Sequence, residues 1–203
     1  MGEELLVARC RKGNPEAFEE LVGLYEKRVY NLAFRMTGNV EDARDITQEA
    51  FVKVYSSLSK FRGDSSFSTW LFKIVSNMCL DELRRRRRRF FVSLDEPLQQ
   101  EDGEMPRQMP DLKADPEREV EQRQIQAMVH RGILALTEDH RMVIVLRDLQ
   151  GFSYEEIAEM LDCSLGTVKS RLNRARLALR QQLQERELFL PDDVQSDRRE
   201  GGR

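Results

Sequence analysis

The stretch GFSYEEIAEMLDCSLGTVKSRLNRARLALR, residues 151–180, decides the fold of the C-terminal part of this chain. Ser153 and Glu156 have the spacing of a capping box, so a helix is expected to begin at Ser153. Apolar residues then recur at helical spacing on one face: Tyr154, Ile157, Ala158 and Leu161. The segment Asp162–Gly166 interrupts this pattern, and Ser164 can cap a second helix. The stretch therefore predicts two helices joined by a tight turn.

The second helix of this pair is apolar along one stripe and basic on its other faces. The apolar stripe consists of Val168, Leu172, Ala175, Leu179 and Leu183. The basic residues are Lys169, Arg171, Arg174, Arg176 and Arg180, and no Asp or Glu lies between Gly166 and Gln184. This is the pattern of a helix-turn-helix whose second helix enters the DNA major groove. An arginine-rich face can also be an ordinary solvated surface, so the hypothesis rests on the caps, the turn length and the missing acids together.

Charge is strongly segregated along the 203 residues, although the formal net charge is only −3. Residues 1–94 hold 17 Lys and Arg against 13 Asp and Glu, whereas residues 95–124 hold 4 against 10. Four of the six prolines also lie in this acidic middle. Helix-breaking residues and like charges together predict a flexible linker. We therefore expect an N-terminal domain over 1–94, an acidic linker over 95–117 and a C-terminal domain over 118–190.

Outside the linker every patterned segment indicates helix, and no run of five residues alternates cleanly as a strand would. Helical periodicity covers residues 16–36, 39–58 and 67–89, then 117–135, and Thr137 is expected to cap a further helix. The expected fold class is all-α, with two small helical domains of which the C-terminal one contains the helix-turn-helix. The polar end of the chain, residues 191–203, is expected to be a disordered tail.

The composition argues against several classes of function. The longest aliphatic run, Met142–Leu146, is too short to span a membrane, and the N-terminal sequence lacks the order of a signal peptide, so a cytoplasmic location is expected. The three cysteines, Cys10, Cys79 and Cys163, lie far apart without a CxxC pair, which favours reduced thiols and no metal site. Because no catalytic triad, metal-ligand cluster or phosphate loop is evident, we expect neither an enzyme nor a cofactor.

Two features of the N-terminal half are suited to nucleic acid. Arg84–Arg89 are six consecutive arginines, a block that repels itself unless an anion neutralises it, so contact with phosphates is predicted. Before this block, Phe61, Arg62, Phe67 and Trp70 place aromatic rings and a cation beside a short turn. Unpaired bases bind by stacking on such rings. The alternatives are a solvated basic helix end for the arginines and a core position for Phe67 and Trp70.

Three segments resemble the signatures of bacterial RNA polymerase sigma factors. They are DARDITQEAFVKVY (42–55), FRGDSSFSTWLFKIVSNMCLDELRRR (61–86) and GFSYEEIAEMLDCSLGTVKSRLNRAR (151–176). Their order and the short two-domain form resemble the extracytoplasmic-function (ECF) type, over about residues 5–94 and 118–185. The resemblance implies a factor that binds core RNA polymerase, reads the −35 and −10 promoter elements and opens the −10 region.

The resemblance also implies roles for single residues. The helix matching 42–55 docks on the β′ clamp of core polymerase in that family, which makes core-binding candidates of Asp45, Gln48 and Glu49. The next segment captures the single-stranded −10 element, and its candidates are Phe61, Phe67, Ser68, Asn77, Arg84, Arg85 and Arg86. The second helix of the helix-turn-helix reads the −35 duplex, with Lys169, Ser170, Asn173 and Arg174 expected on bases and Arg171 and Arg176 on phosphates. The implied partners are the β′ and β subunits of core polymerase, promoter DNA and an anti-sigma factor, without direct membrane insertion.

Two other functions remain open at the level of sequence. A helix-turn-helix regulator that binds duplex DNA without core polymerase would explain the C-terminal helices but not residues 1–94. A helical interaction module that mimics a sigma factor would explain the fold but not the intact basic patches. Dependence on core polymerase separates these functions, because a conventional regulator binds its operator alone.

Overall fold

The computed structural model describes residues 2–92 and 116–187, and describes side chains over 2–89 and 122–184. The described part contains helices and turns and no strand, which confirms the all-α prediction. The helices are α1 (Glu3–Arg11), α2 (Pro15–Thr37), α3 (Val40–Ser57), α4 (Phe67–Val92), α5 (Pro116–Leu134), α6 (Glu138–Ile144), α7 (Tyr154–Met160) and α8 (Leu165–Glu187). A 3₁₀ turn (Leu58–Lys60) follows α3, and a π-helical turn (Val145–Leu149) follows α6. The predicted flexible linker (95–117) lies outside the described residues except for 116 and 117, and the predicted disordered tail (191–203) lies wholly outside them.

Local sequence signals explain where the first long helices begin and end. Asn14 caps α2 by accepting a 2.6 Å hydrogen bond from the amide of Ala17. Gly38, with a φ of 71°, ends α2 in the left-handed conformation that favours glycine. Asn39 then caps α3 by accepting from the amide of Asp42 at 3.0 Å. Helix α1 was not predicted; the hydroxyl of Tyr25 ties it to α2 by a 2.6 Å bond to the carboxylate of Glu3.

The core of the N-terminal half takes one stripe of α3 and more than one side of α4. The stripe of α3 is fully buried and consists of Ala43, Ile46, Ala50, Val54 and Leu58. In α4, Phe72, Val75 and Cys79 are fully buried, whereas Ile74 and Met78 are only partly buried. The reason is that α4 packs on two sides, against α2 and α3 and also against α6 and α7.

The C-terminal half contains the predicted helix-turn-helix, formed by α7 and α8. Ser153 and Glu156 form both bonds of the capping box, and Ser164 caps α8 by accepting from the amide of Thr167 at 3.0 Å. Asp162 turns the chain between the helices with a left-handed φ of 52°. The apolar stripe of α8 faces the core, with Val168, Leu172 and Ala175 buried and Leu179 partly buried. Thr137 lies at the N-cap of α6 as predicted, but its side chain makes no capping bond.

The two halves pack directly against each other. Helix α7 lies against α4, and α5 lies against α2. No helix in the described residues is long and apolar enough to cross a membrane.

Candidate nucleic-acid and protein interfaces

The outer face of α3 carries the three core-binding candidates. Asp45, Gln48 and Glu49 are exposed, and at 100° per residue they lie opposite the buried stripe of the helix. The same face continues into Val52, which is 69% exposed, and Tyr55, which is 55% exposed. Sequence reasoning missed these two residues, although their spacing from Gln48 is helical. Two carboxylates beside exposed apolar side chains form a surface suited to another protein rather than to DNA.

Four aromatic side chains form a cluster near the start of α4. They are Tyr25 of α2, Phe61 after the 3₁₀ turn, and Phe67 and Trp70 in the first turn of α4. The ring centroids of Phe61 and Trp70 are 5.1 Å apart, and those of Tyr25 and Phe67 are 5.5 Å apart. Phe61 and Phe67 are only 9% and 3% exposed. In this structure the two candidate phenylalanines therefore pack edge-to-face on each other, with an interplanar angle of 89°, and contact their neighbours rather than facing solvent. The nearby side chain of Trp70 is half-buried.

Hydroxyl groups organise the start of α4 beside this cluster. The Oγ of Ser66 lies 2.9 Å from the Oγ of Ser68 and accepts a 3.0 Å bond from the amide of Thr69. Ser68 is half-buried and Asn77 is exposed. Nine residues make two and a half turns, so these two candidates lie on opposite sides of α4. Asn77 instead shares its side of the helix with Trp70, which stands two turns before it.

The six arginines at the end of α4 are not equivalent. Arg84 pairs with Asp81 at 3.0 Å, Arg85 pairs with Glu82, and Arg87 pairs with Glu138 at 3.3 Å. Arg88 and Arg89 are exposed and form no ion pair with the described residues.

Arg86 is the most enclosed member of the arginine run. It pairs with Asp42 and, at 3.5 Å, with Glu82. Burial, followed by the charge of Arg89, lowers the pKa of Arg86. Its guanidinium also donates to the backbone carbonyl of Thr37 at 3.5 Å. Arg86 thus holds α4 against the α2–α3 junction, a structural contact that the sequence alone did not indicate.

The outer face of α8 is formed by Lys169, Ser170, Asn173 and Arg174. All four side chains are exposed, and they lie opposite the buried stripe of the helix. Neither Lys169 nor Arg174 forms an ion pair within the described part of the chain. This face therefore presents hydrogen-bond donors and positive charges that no carboxylate among the described residues neutralises. A helix in the major groove needs such groups to contact base edges.

The two arginines expected on phosphates, Arg171 and Arg176, flank the buried stripe of α8. Unlike Lys169 and Arg174 on the outer face, both form ion pairs within the protein. Arg171 pairs with Asp139 of α6 at 2.7 Å. Arg176 pairs with Asp148, and hydrogen bonding to that carboxylate raises the pKa of Arg176. Both arginines anchor α8 to neighbouring elements of its own domain.

Comparison with known proteins assigns the chain to a family. The family model described as Sigma-70 region 2 matches residues 21–89, and that described as Sigma-70, region 4 matches residues 126–179. The chain is 40% identical over 182 residues to the ECF RNA polymerase sigma-E factor of Escherichia coli K12, covering 90% of this chain and 94% of that relative. The chain belongs to the ECF sigma factors. It is also 39% identical over 185 residues to the RNA polymerase sigma-H factor of Pseudomonas aeruginosa, with the same shares covered.

Two solved structures have the same fold. The sigma factor RpoE from Bartonella quintana, in complex with the anti-sigma factor NepR, is 26% identical, with a TM-score of 0.67 over 82% of this chain and 96% of that one. The structure of CnrH in complex with the cytosolic domain of CnrY is 25% identical, with a TM-score of 0.63 over 89% and 96%. This sigma factor acts in promoter-specific transcription initiation, in which its regions 2 and 4 bind core polymerase and promoter DNA. This assignment argues against the alternative of a helix-turn-helix regulator that binds duplex DNA without core polymerase.

Proposed function

We propose that this sigma factor divides promoter recognition among three surfaces. The outer face of α3 binds the β′ clamp of core polymerase, the start and outer side of α4 bind the single-stranded −10 element, and the outer face of α8 reads the −35 duplex. One observation supports this division above others. The candidates on α3 and α8 are exposed, and each group lies opposite a stripe that is fully packed in the core. The catalytic step of RNA synthesis belongs to the polymerase, so no separate enzymatic activity is assigned to this chain, and it acts in the cytoplasm with the polymerase.

The contacts on α8 separate base reading from positioning. Lys169, Asn173 and Arg174 have no carboxylate partner among the described residues and can donate to base edges in the major groove. Arg171 and Arg176 already hold carboxylates, so a phosphate must compete with Asp139 and Asp148 for them. Phosphate contacts of that kind fix the register of the helix on DNA and carry no sequence information.

The −10 element requires a pocket for an unstacked base, and extrusion of a base costs a few kcal/mol. Trp70 and Asn77 lie on one side of α4 and are accessible, which gives one stacking surface and one amide for a base edge. Phe61 and Phe67 support that surface from behind in the present conformation. Arg84 and Arg85 are exposed and extend the site towards the DNA backbone at the far end of α4, whereas a phosphate must compete with Asp42 and Glu82 for Arg86.

The same surfaces explain how a regulatory partner could act. Solved relatives bind an anti-sigma factor in one case and a cytosolic protein domain in another. We infer an anti-sigma partner for this chain too, and expect it to cover surfaces that polymerase or promoter needs. The β subunit of core polymerase is the second expected contact.

Run-off transcription with purified bacterial core polymerase tests the proposal. The templates are upstream sequences from the source genome, and the protein is added as wild type, Arg174→Ala or the control Arg131→Ala, which alters an exposed arginine of α5. We expect transcripts that require the protein, share a two-part upstream motif and are reduced only by Arg174→Ala. Specific duplex binding by the protein alone, without transcripts, would overturn the proposal.

A further inference from the structure

Gly166 is a helical glycine that the fold itself does not require. It is the second residue of α8, is exposed, and has a helical rather than a left-handed backbone. Apart from its chain neighbours and the backbone of its own helix, a Cβ there would meet only the Oγ of Ser164 among the described residues, at 3.6 Å, which is an ordinary contact. Glycine is less favourable than alanine within a helix, because it loses more backbone freedom on folding. An alanine would therefore suit the free protein better.

Gly166 lies on the outer face of α8, in its first turn. At 100° per residue, its position around the helix axis falls between those of Ser170 and Asn173, which lie about one and two turns further on. All three residues are exposed. Helices that enter the major groove contact base edges with the residues near their N-terminal end. A side chain at position 166 would therefore project from the part of α8 that such a helix places against the DNA.

The outer face is low at its start and higher further along the helix. Gly166 adds nothing beyond the backbone, and the hydroxyl of Ser170 turns back to donate to the carbonyl of Thr167 at 3.0 Å. Two to three turns after Gly166, Arg174 is exposed and Leu177 is 59% exposed. The first turn of α8 therefore lets a neighbouring surface come close to the backbone, whereas the later turns do not.

The backbone of this first turn is held in place on both sides of Gly166. The Oγ of Ser164 accepts from the amide of Thr167 at 3.0 Å and lies 2.9 Å from its Oγ1. Val168, two residues after Gly166, is fully buried in the core of the domain. The backbone at Gly166 therefore cannot move away from a partner without breaking one of these contacts.

We propose that Gly166 is a positioning residue whose missing side chain lets the first turn of α8 lie directly against the −35 duplex. This rests on the proposed reading of the −35 element by the outer face of α8. Duplex DNA is the partner because Lys169 and Arg174, which flank Gly166 on this face, have no carboxylate partner among the described residues. A methyl group at this position would hold the helix away from the DNA. Hydrogen bonds from its neighbours to the bases would then lengthen beyond about 3.2 Å and weaken.

Thermal unfolding of the full-length protein tests whether the fold needs this glycine. Gly166→Ala is compared with wild type and with Gly23→Ala, which alters an exposed helical glycine of α2 whose Cβ would meet nothing within 4 Å. We expect each variant to raise Tm by about 1–4 °C, because alanine restricts the unfolded chain and fits the helical backbone. A lower Tm for Gly166→Ala would show that the fold requires the glycine and would overturn the proposal.

Binding of the holoenzyme to promoter DNA tests whether the clearance is used. The probe is a duplex carrying a promoter that wild-type holoenzyme transcribes in the run-off assay, intact or with its −35 element scrambled. We expect Gly166→Ala holoenzyme to bind the intact duplex about tenfold more weakly than wild type, comparable with the loss of one base contact. Gly166→Leu should lose more affinity, whereas Gly23→Ala should bind as wild type does. Neither loss should appear on the scrambled duplex.

A more stable protein with weaker −35 binding separates clearance from a structural role, which would move both quantities in the same direction. Wild-type affinity of Gly166→Ala, or an equal loss on the scrambled duplex, would overturn the proposal. Arg174→Ala on the same probes distinguishes this result from failure of the proposed function. If only Arg174→Ala binds weakly, the outer face of α8 reads DNA without clearance at Gly166. If neither variant loses affinity, the proposed reading of the −35 element fails as well.

Discussion

Arg176 of α8 and Asp148 of the turn before α7 form a two-bond ion pair. The Nε of Arg176 donates to one carboxylate oxygen at 3.1 Å and its Nη2 donates to the other at 2.5 Å. This geometry is the planar fork that favours arginine over lysine at such a site. Arg176, one of the basic residues of α8, therefore orients α8 within its own domain.

Replacement of this arginine should therefore have two small effects. Arg176→Ala is expected to lower the free energy of unfolding by about 0.2–1 kcal/mol, since the pair is partly exposed and screened by salt. Urea denaturation measures this loss. If Arg176 also exchanges Asp148 for a phosphate on DNA, the variant will bind all duplex sequences more weakly by a similar factor. A loss confined to −35 sequences would instead assign Arg176 to base reading.

Arg174, on the outer face of α8, should behave differently. Its side chain is exposed and has no carboxylate partner in the described structure, so Arg174→Ala should leave stability unchanged. A bidentate base contact is worth about 1–3 kcal/mol of discrimination. We therefore expect the variant to lose that much at the cognate −35 element in holoenzyme binding assays and little on mutated elements. Arg131→Ala, which alters an exposed arginine of α5, is the matched control, and an equal loss on every sequence would contradict the assignment.

The outer face of α3 can be tested by removing two of its polar groups. Asp45→Ala with Gln48→Ala should weaken binding to core polymerase, because both side chains are exposed and neither supports the core of the domain. Surface plasmon resonance with purified core measures the change. Glu19→Ala, which removes an exposed acid from α2, is the control for net charge. Unaltered affinity of a double variant with a native circular-dichroism spectrum would rule out this role.

Gly38 offers a test of the contact between the domains. Its φ is 71°, and a Cβ there would lie 2.9 Å from Cδ1 of Leu134 in the other domain. Gly13 has a similar φ of 81°, and a Cβ at that position would have no neighbouring atom within 4 Å. Left-handed strain alone should cost each alanine variant about 1 kcal/mol. We expect Gly38→Ala to cost measurably more than Gly13→Ala in thermal unfolding, because only the former also disturbs interdomain packing. Equal losses would indicate that Leu134 moves aside freely.

The buried His130 is expected to lower the free energy of unfolding in mild acid. Burial, followed by the charges of Arg35 and Arg141, lowers its pKa from 6.5 to about 4. Well above pH 6.5 the imidazole is neutral in both folded and unfolded chains, so it adds no pH dependence there. As the pH falls from 6.5 towards 4, the unfolded chain binds a proton that the folded chain does not, and stability declines by up to about 3 kcal/mol. His130→Gln should flatten this part of the profile in urea denaturation at stepped pH, and an unchanged slope would assign the decline to other groups.

The described helices and most of their caps could be predicted from sequence, because these features depend on residues within one or two turns of each other. Asn39, Ser153 with Glu156, and Ser164 all act on amides three residues away or nearer. The buried stripe of α8 follows from helical periodicity for the same reason. Helix α1 was missed, since its hydrophobic pattern is short and its tie to Tyr25 is 22 residues distant.

The candidate site was predictable in part. The exposure of Asp45, Gln48 and Glu49 followed from the periodicity of α3, and the outer face of α8 followed from that of its apolar stripe. The sequence offered a core position for Phe67 as an alternative, but it did not indicate that Phe61 would be buried against Phe67. That Ser68 and Asn77 lie on opposite sides of α4 could have been predicted, because their spacing of nine residues makes two and a half turns of helix.

The sequence by itself determined the helices, the helix-turn-helix and the family, because capping, periodicity and motif order are properties of neighbouring residues. Only the tertiary structure decided which arginines are paired and which remain available to DNA, since Arg86, Arg87 and Arg176 find carboxylates on other elements. It also decided that α4 buries a second face and that Arg28 meets Gln150 across 122 positions of chain. Such contacts depend on how packed helices approach one another, and no local pattern in the sequence encodes that approach.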